Sequence, residues 1–181
     1  MNLHPFTKVV YLAGPDVFFP GSAEIFRELK EQCAWLGMIG VEPSDGGLTD
    51  GFAGSDDALA QRIFEGNIER IRGADGVIAN LMSFRGHEPD SGTVFEVGFA
   101  MALGKPVVAY GVPEGSYADR VCATIRCAKD SAGVTRETES GAMVEGLGQR
   151  LNLMLARSTA IEPSAVAALT RLAAMLGADR G

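Results

Sequence analysis

The sequence predicts an α/β protein: a doubly wound parallel sheet of about five strands, flavodoxin- or Rossmann-like, flanked by helices and finished by C-terminal helices. Two observations carry this. Short apolar, β-rich runs alternate with stretches of helical periodicity, and Gly, Pro or Asp punctuates the joins. That alternation implies parallel strands covered on both faces, and the right-handed crossover winds them into a doubly wound sheet.

The elements follow in order. "KVVYLAG" (8–14) is a buried first strand, stopped by Gly14 and Pro15. "SAEIFRELKEQCAWLG" (22–37) repeats apolar residues at helical spacing, with Ser22 as its cap and Gly37 at its end. "MIGVEP" (38–43) is a second strand, and the Gly-, Asp- and Ser-rich segment 44–57 is a long surface loop of the kind that often carries function. Helical periodicity returns after Asp57 in "ALAQRIFEGNIERIRGA", and "DGVIANL" (75–81) is a third strand that Asp75 begins. A helix over 91–104 and the strand "PVVAY" (106–110) complete the regular pattern. Beyond Gly111 the polar and small residues of "PEGSYADR" and "KDSAGVTRETESG" read as loops, followed by helices at about 140–156 and 163–177. Length and the lack of repeats suit a single domain over 1–181.

Composition narrows the function classes. A net charge of -7 with no basic stripe argues against nucleic acid. Three cysteines without zinc-site spacing (Cys33, Cys122, Cys127) fit a reducing cytoplasm, although Cys122 and Cys127 are close enough in sequence to pair. The start "MNLHPFTKVVYLAG" lacks the pattern of a leader, and no segment reaches the roughly 18 apolar residues of a membrane span. Neither histidine has a ligand partner at useful spacing, and no Gly-x-Gly-x-x-Gly or Walker loop occurs, so no metal, dinucleotide or other cofactor is expected.

In such a sheet, ligands bind beyond the carboxyl ends of the strands. "AGPDVFF" (13–19), "SFRGHEPDSG" (83–92) and "GVPEGSY" (111–117) fall there. The second leads into Asp90 and Glu96, six residues apart. With Glu96 near the first turn of its helix, the dipole favours its charge, and an ionised carboxylate can be a nucleophile. The local pattern also allows a capping box with Thr93 as cap and Glu96 reaching back, and Asp90 too can be a cap. Two carboxylates flanking one pocket are what glycosyl chemistry requires. Phe18 and Phe19 can wall a flat base, or be core, and Asp16 can face the base edge. Arg85 and His87 either contact substrate or pair with Glu88 on the surface.

Four blocks, "YLAGP" (11–15), "NIERIRGADGVIANL" (67–81), "FRGHEPDSGTVFEVGFAMALGKPVVAY" (84–110) and "NLML" (152–155), together resemble the nucleoside 2-deoxyribosyltransferase family in order and separation. The resemblance implies that Glu96 is a nucleophile forming a covalent 2-deoxyribosyl ester, that Tyr11 positions it, and that Asp90 binds sugar or base and supplies a proton. Gly14 and Gly92, inside two of the blocks, would lie against substrate. Asn67 stands where some members carry an Asp that holds or protonates the base, and an amide cannot be an acid. The resemblance further implies that Asn152 and Met154 cross to a neighbouring subunit. The minimal unit is then a dimer with shared sites, and the partners are deoxynucleosides and free nucleobases. Taken without the resemblance, Tyr11 and Met154 read as core, and Asn67 and Asn152 as exposed polar positions. Two alternatives accompany this reading: a hydrolase of 2'-deoxynucleoside 5'-monophosphates, for which Arg150 is the nearest phosphate donor to "NLML", and a non-catalytic nucleotide-binding module.

Overall fold

A computed structural model of the chain describes residues 7–47 and 49–178, so the first six residues, read above for a leader, lie outside the described part. Strands β1 (Lys8–Ala13), β2 (Met38–Val41), β3 (Gly76–Asn80), β4 (Val107–Tyr110) and β7 (Ala160–Ile161) form one sheet in the order β2-β1-β3-β4-β7. Every pairing in it is parallel. The predicted fold class is therefore the observed one, and each of the first four strands falls within its expected run. The order reverses between β1 and β3, and that switch point is where this kind of sheet opens a crevice for ligand.

Helices cover both faces because each strand is apolar on both. On one face Tyr11, Ala13, Val77, Ala79, Val107 and Ala109 pack under helices α2 (Asp56–Gly73), α3 (Ser91–Ala102) and α5 (Leu153–Ser158). On the other, Val10, Leu12, Met38, Ile78 and Val108 pack under α1 (Ser22–Trp35) and α6 (Ala165–Leu176). Period-two alternation assigns successive residues of one strand to opposite layers, so Tyr11 faces α3 while Leu12 faces α1.

Helix ends obey local chemistry, with one correction. The cap position of α1 is Gly21, Ser22 is already helical, and no side chain caps this end. At its other end the reading holds: Gly37 takes the left-handed conformation (φ 72°) that stops the helix. Helix α2 is capped by Ser55, whose hydroxyl accepts from the Ala58 amide at 3.2 Å. Asp75 accepts from the Val9 amide (2.8 Å) and pairs with Lys8 (3.2 Å), tying the start of β3 to β1.

The region after Gly111 departs most from expectation. Residues expected to be loops contain helix α4 (Tyr117–Thr124), capped by Ser116, and an antiparallel hairpin of β5 (Cys127–Lys129) and β6 (Thr135–Glu137). The helix expected over about 140–156 shrinks to α5. Gly141 (φ 74°) and Gly148 (φ 68°) both adopt left-handed backbone, which an α-helix cannot absorb. Buried Val144 and Leu151 anchor this irregular stretch instead. The final helix, expected over 163–177, is α6.

Candidate active site

A cavity of about 430 Å³ opens at the carboxyl ends of β1 and β2, between α2 and α3, a size suited to a small organic ligand. Glu96 forms part of its lining and is fixed from behind by β1: the Tyr11 hydroxyl donates to Glu96 Oε1 at 2.6 Å across 85 residues of sequence. Tyr11 itself is fully buried. Burial, followed by the neighbouring Glu96 charge, pushes its ionisation far up, so it stays a donor.

Asp90 is the cap of α3. Its Oδ2 accepts from the Thr93 amide (2.9 Å) and the Thr93 hydroxyl (3.0 Å). This places Thr93 in the third helical position and Glu96 in the sixth, which removes the Thr93–Glu96 capping box and puts Glu96 in the second turn, away from the strongest dipole field. The expectation that Glu96 stays ionised through that dipole is corrected accordingly. Burial raises its pKa to about 7; the Tyr11 hydrogen bond opposes the rise and the charge of Asp90 adds to it. Glu96 therefore titrates near neutrality.

Seven of the residues singled out in the sequence line this one cavity: Gly14, Phe18, Asn67, Asp90, Gly92, Thr93 and Glu96. Gly14 has no room for a side chain, since a Cβ there would lie 2.9 Å from that of Asn80 and collide with the Asp16 carboxylate. A Cβ on Gly92 would sit 3.1 Å from Asp90 Oδ2. Phe18 is 59% exposed, stacks on Phe84 at 5.4 Å, and is not core. Asn67 brings a carboxamide whose Oδ1 is buried without a hydrogen-bond partner.

Other residues sit elsewhere. Asp16 is buried beneath the loop, both of its oxygens accepting from Asn80 Nδ2 at 3.1 Å; it braces the β1 and β3 loops and presents no edge to a base. Arg85 lies over the rings of Phe84 (4.7 Å) and Phe18 (5.7 Å), His87 Nε2 meets the Thr124 hydroxyl at 2.7 Å, and Glu88 takes the Tyr117 hydroxyl, so the surface pairing of Arg85 and His87 with Glu88 is not formed. Asn152 and Met154 do not line the cavity of their own chain. Asn152 caps α5 through the Leu155 amide (3.2 Å), and Met154 is 74% exposed, so it is not core.

The walls that sequence reading missed are Val17, Pro43, Ser44, Thr49 and Ile63. Ser44 and Thr49 belong to the loop flagged for its length, which was the available signal. Ile63 is one helical turn before Asn67, so an amphipathic face of α2 carries both to the cavity. Among the described residues, no group of three or more His, Cys, Asp or Glu could hold a metal ion, and no helix is long and apolar enough to cross a membrane.

A doubly wound sheet thus brings a tyrosine-bound glutamate and an aspartate together in one cavity beyond the carboxyl ends of its strands. Residues 10–154 match the profile of the nucleoside 2-deoxyribosyltransferases, and the chain belongs to that family. It is similar in structure to a 2-desoxiribosyltransferase from Leishmania mexicana, with a TM-score of 0.69, 28% identity, and coverage of 92% of this chain and 97% of that one. A conserved protein from Enterococcus faecalis shares the fold at a TM-score of 0.58 and 20% identity, covering 91% and 98% of the two chains. An uncharacterized protein of Schizosaccharomyces pombe is 36% identical over 135 residues, 73% of this chain; the match spans only 63% of that relative's length.

Proposed function

We propose that this chain, acting as one domain over 1–181, transfers 2-deoxyribose between nucleobases. The observation that carries the reading is the Tyr11–Glu96 hydrogen bond in the wall of a ligand-sized cavity, with Asp90 beside it. A Glu96 oxygen attacks the anomeric carbon as the bond from that carbon to the base nitrogen breaks. The electron pair goes to the base, which leaves with a proton from Asp90 or from water. A nitrogen of a second base then attacks the same carbon, giving up its proton to Asp90 or to water, the ester bond breaks, and the carboxylate is restored. Two inversions give net retention. Phe18 offers the base an apolar face, Gly14 and Gly92 let substrate approach the backbone, and Asn67 meets the base edge. No cofactor takes part.

Incubating the protein with deoxynucleosides, with and without a free base, and following the bases by chromatography tests this reading. Exchange only when the second base is present supports transfer. Release without it, greatest for 5'-monophosphates, would make the protein a hydrolase. Arg150 favours nucleosides, because its guanidinium is committed to the carbonyls of Val112 and Pro113 and to Glu114. The Tyr11–Glu96 pair argues against a module that only binds nucleotide. The three unpaired cysteines are consistent with a reducing cytoplasm, where base exchange serves nucleotide salvage.

The attacking carboxylate must be ionised, so kcat/KM should rise with pH and reach half its plateau near pH 7, the value to which burial lifts Glu96. Asp90→Asn removes a charge that holds this pKa up, so the limb of whatever activity remains should move to lower pH. A wild-type limb near 4.5 would contradict both expectations. Tyr11→Phe loses one hydrogen bond to a charged partner, worth about 1–3 kcal/mol, so turnover should fall by roughly five- to 150-fold without vanishing. Since that bond lowers the Glu96 pKa, the limb should also shift to higher pH. An unchanged rate and limb would return Tyr11 to a packing role.

The unit proposed to do this is a homo-oligomer, minimally a dimer, in which Asn152 and Met154 of one chain complete the cavity of its neighbour. Their position outside their own chain's cavity and the exposure of Met154 support it.

A further inference from the structure

Helix α4 ends at Thr124, and after a short turn β5 begins at Cys127. In this turn Cys127 Sγ donates to the Ile125 carbonyl at 3.4 Å and lies within hydrogen-bonding reach of the thiol of Cys122, on the last turn of the helix. Both thiols are free and partly exposed, whereas the third, Cys33, is fully buried. The hydrogen bond with Cys122, ahead of every other cause, pushes Cys127 up to about 11, so it remains a thiol at neutral pH. The thiolate is the nucleophile in sulfur exchange. Cys122 is therefore the sulfur that opens such an exchange, and Cys127 the one that completes it.

The same helix holds the loop that leads into the cavity. Tyr117, its first residue, hydrogen-bonds Glu88, and Thr124, its last, meets His87 Nε2 at 2.7 Å. The Thr124 hydroxyl donates to the Val121 carbonyl at 3.3 Å, which leaves its lone pairs for the histidine N–H. Inside the loop the Phe84 amide donates to the Glu88 carbonyl at 2.9 Å, and Asp90 follows two residues on. Thr124 stands between the two cysteines in the chain. Whatever draws Cys122 and Cys127 together also moves the residue that holds His87.

We propose that Cys122 and Cys127 form a reversible dithiol–disulfide site, closed by a small-molecule disulfide such as oxidised glutathione, and that its closure frees the loop leading to Asp90 from α4. The Cys122 thiolate, its proton lost to solvent, attacks one sulfur of the small disulfide. That S–S bond breaks, and one glutathione thiolate leaves and takes up a proton. Cys127 then gives its proton to solvent and its sulfur attacks that of Cys122 in the mixed disulfide, releasing the second glutathione. The protein pair is oxidised, the small disulfide is reduced, and an excess of thiol reverses both steps. A covalent S–S bond is shorter than a contact between hydrogen-bonded thiols, so closure pulls the end of α4 towards β5 and breaks the Thr124–His87 bond. Cys122 and Cys127 are only five residues apart, so the bond constrains the unfolded chain little and adds little stability, which keeps it easy to reduce.

The test uses the full chain, reduced, freed of reductant and incubated with oxidised glutathione, beside Cys122→Ser and Cys127→Ser. Intact mass, peptide mapping and amide hydrogen exchange are the readouts. The wild type should lose the hydrogens of one thiol pair, retain no glutathione and map its disulfide to Cys122 and Cys127, with buried Cys33 still free. Cys127→Ser should stop at a glutathione adduct on Cys122, and Cys122→Ser should react more slowly than Cys127→Ser. In the oxidised wild type the Phe84 amide should exchange faster by about tenfold or more, and dithiothreitol should restore its protection. Neither readout depends on what the cavity turns over, so the outcome is independent of the transferase reading. A wild type that stays reduced, that keeps glutathione on both cysteines, or whose Phe84 amide exchanges alike in the two states would overturn the proposal.

Discussion

Glu96→Gln protein should be inactive in base exchange yet melt at a higher temperature than the wild type at pH 8. The loss of activity follows from chemistry: the amide keeps the shape of the carboxylate and can still accept from Tyr11, but it is a poor nucleophile, so the rate should fall on the order of 10⁴-fold or more. The gain in stability follows from linkage. In the unfolded chain Glu96 has its ordinary value of 4.5, and in the folded protein burial lifts it to about 7. Below 4.5 the group is protonated in both states and costs nothing. As pH rises through this window the unfolded state sheds its proton first, so stability is lost until the folded pKa is passed. Above 7 the full penalty applies, about 3 kcal/mol for a shift of this size. Glutamine escapes it. Thermal melts at pH 5 and pH 8 check the claim: the gap between variant and wild type should be small at the lower pH and several degrees at the higher. Superimposed melts at pH 8 would mean that Glu96 carries no raised pKa. An adduct found on another residue, after wild-type protein is mixed with a 2'-fluorinated deoxynucleoside, would displace it as the nucleophile.

Much of this site was readable before any coordinates because its parts lie where strands and helices begin and end. Tyr11 belongs to an unmistakable apolar run, and Asp90 stands at the only polar entrance to an apolar helix. Their roles were harder to read. Whether Asp90 or Thr93 caps α3 moves Glu96 by a full turn relative to the amides, and a short polar stretch such as "PDSGT" offers several residues able to cap. The answer lies in the side-chain bonds of Asp90 to Thr93, which no spacing rule supplies. Asp16 was misread for a related reason. A carboxylate in a loop beside a cavity looks like a ligand group, but here Asn80, 64 residues away, takes both of its oxygens.

The region after Gly111 was illegible for reasons of length. Strand β7 has two residues and β5 and β6 have three each, too few to display a period. Its helices α4 and α5 have eight and six residues, and neither would hold alone in water, so tertiary anchors such as Val121 and Leu155 determine them. The glycines at 141 and 148 were visible, yet the apolar residues between them imitate a helical face.

The remaining prediction concerns that region. Asn152 should serve the site of a neighbouring chain, because it opens α5 outside the cavity that its own chain forms, with exposed Met154 two residues on. Two variants, each nearly inactive alone, decide the matter: Glu96→Gln and Asn152→Ala. Asn152→Ala also removes a helix cap, worth about 1 kcal/mol, so its fold is first checked by its melting temperature. The two are then mixed under conditions that let subunits exchange, with exchange followed by labelling one variant. If sites are shared, a mixed interface joins a chain with intact Glu96 to one with intact Asn152. One of its two sites is then whole and the other lacks both residues. In a fully exchanged equal mixture of dimers, half of the molecules are mixed, so about a quarter of all sites regain function, an increase far above either variant alone. If each chain forms its whole site by itself, every site in the mixture lacks one residue or the other, and no activity returns. Proven exchange without recovered activity would remove the shared site and with it the need for an oligomer in catalysis.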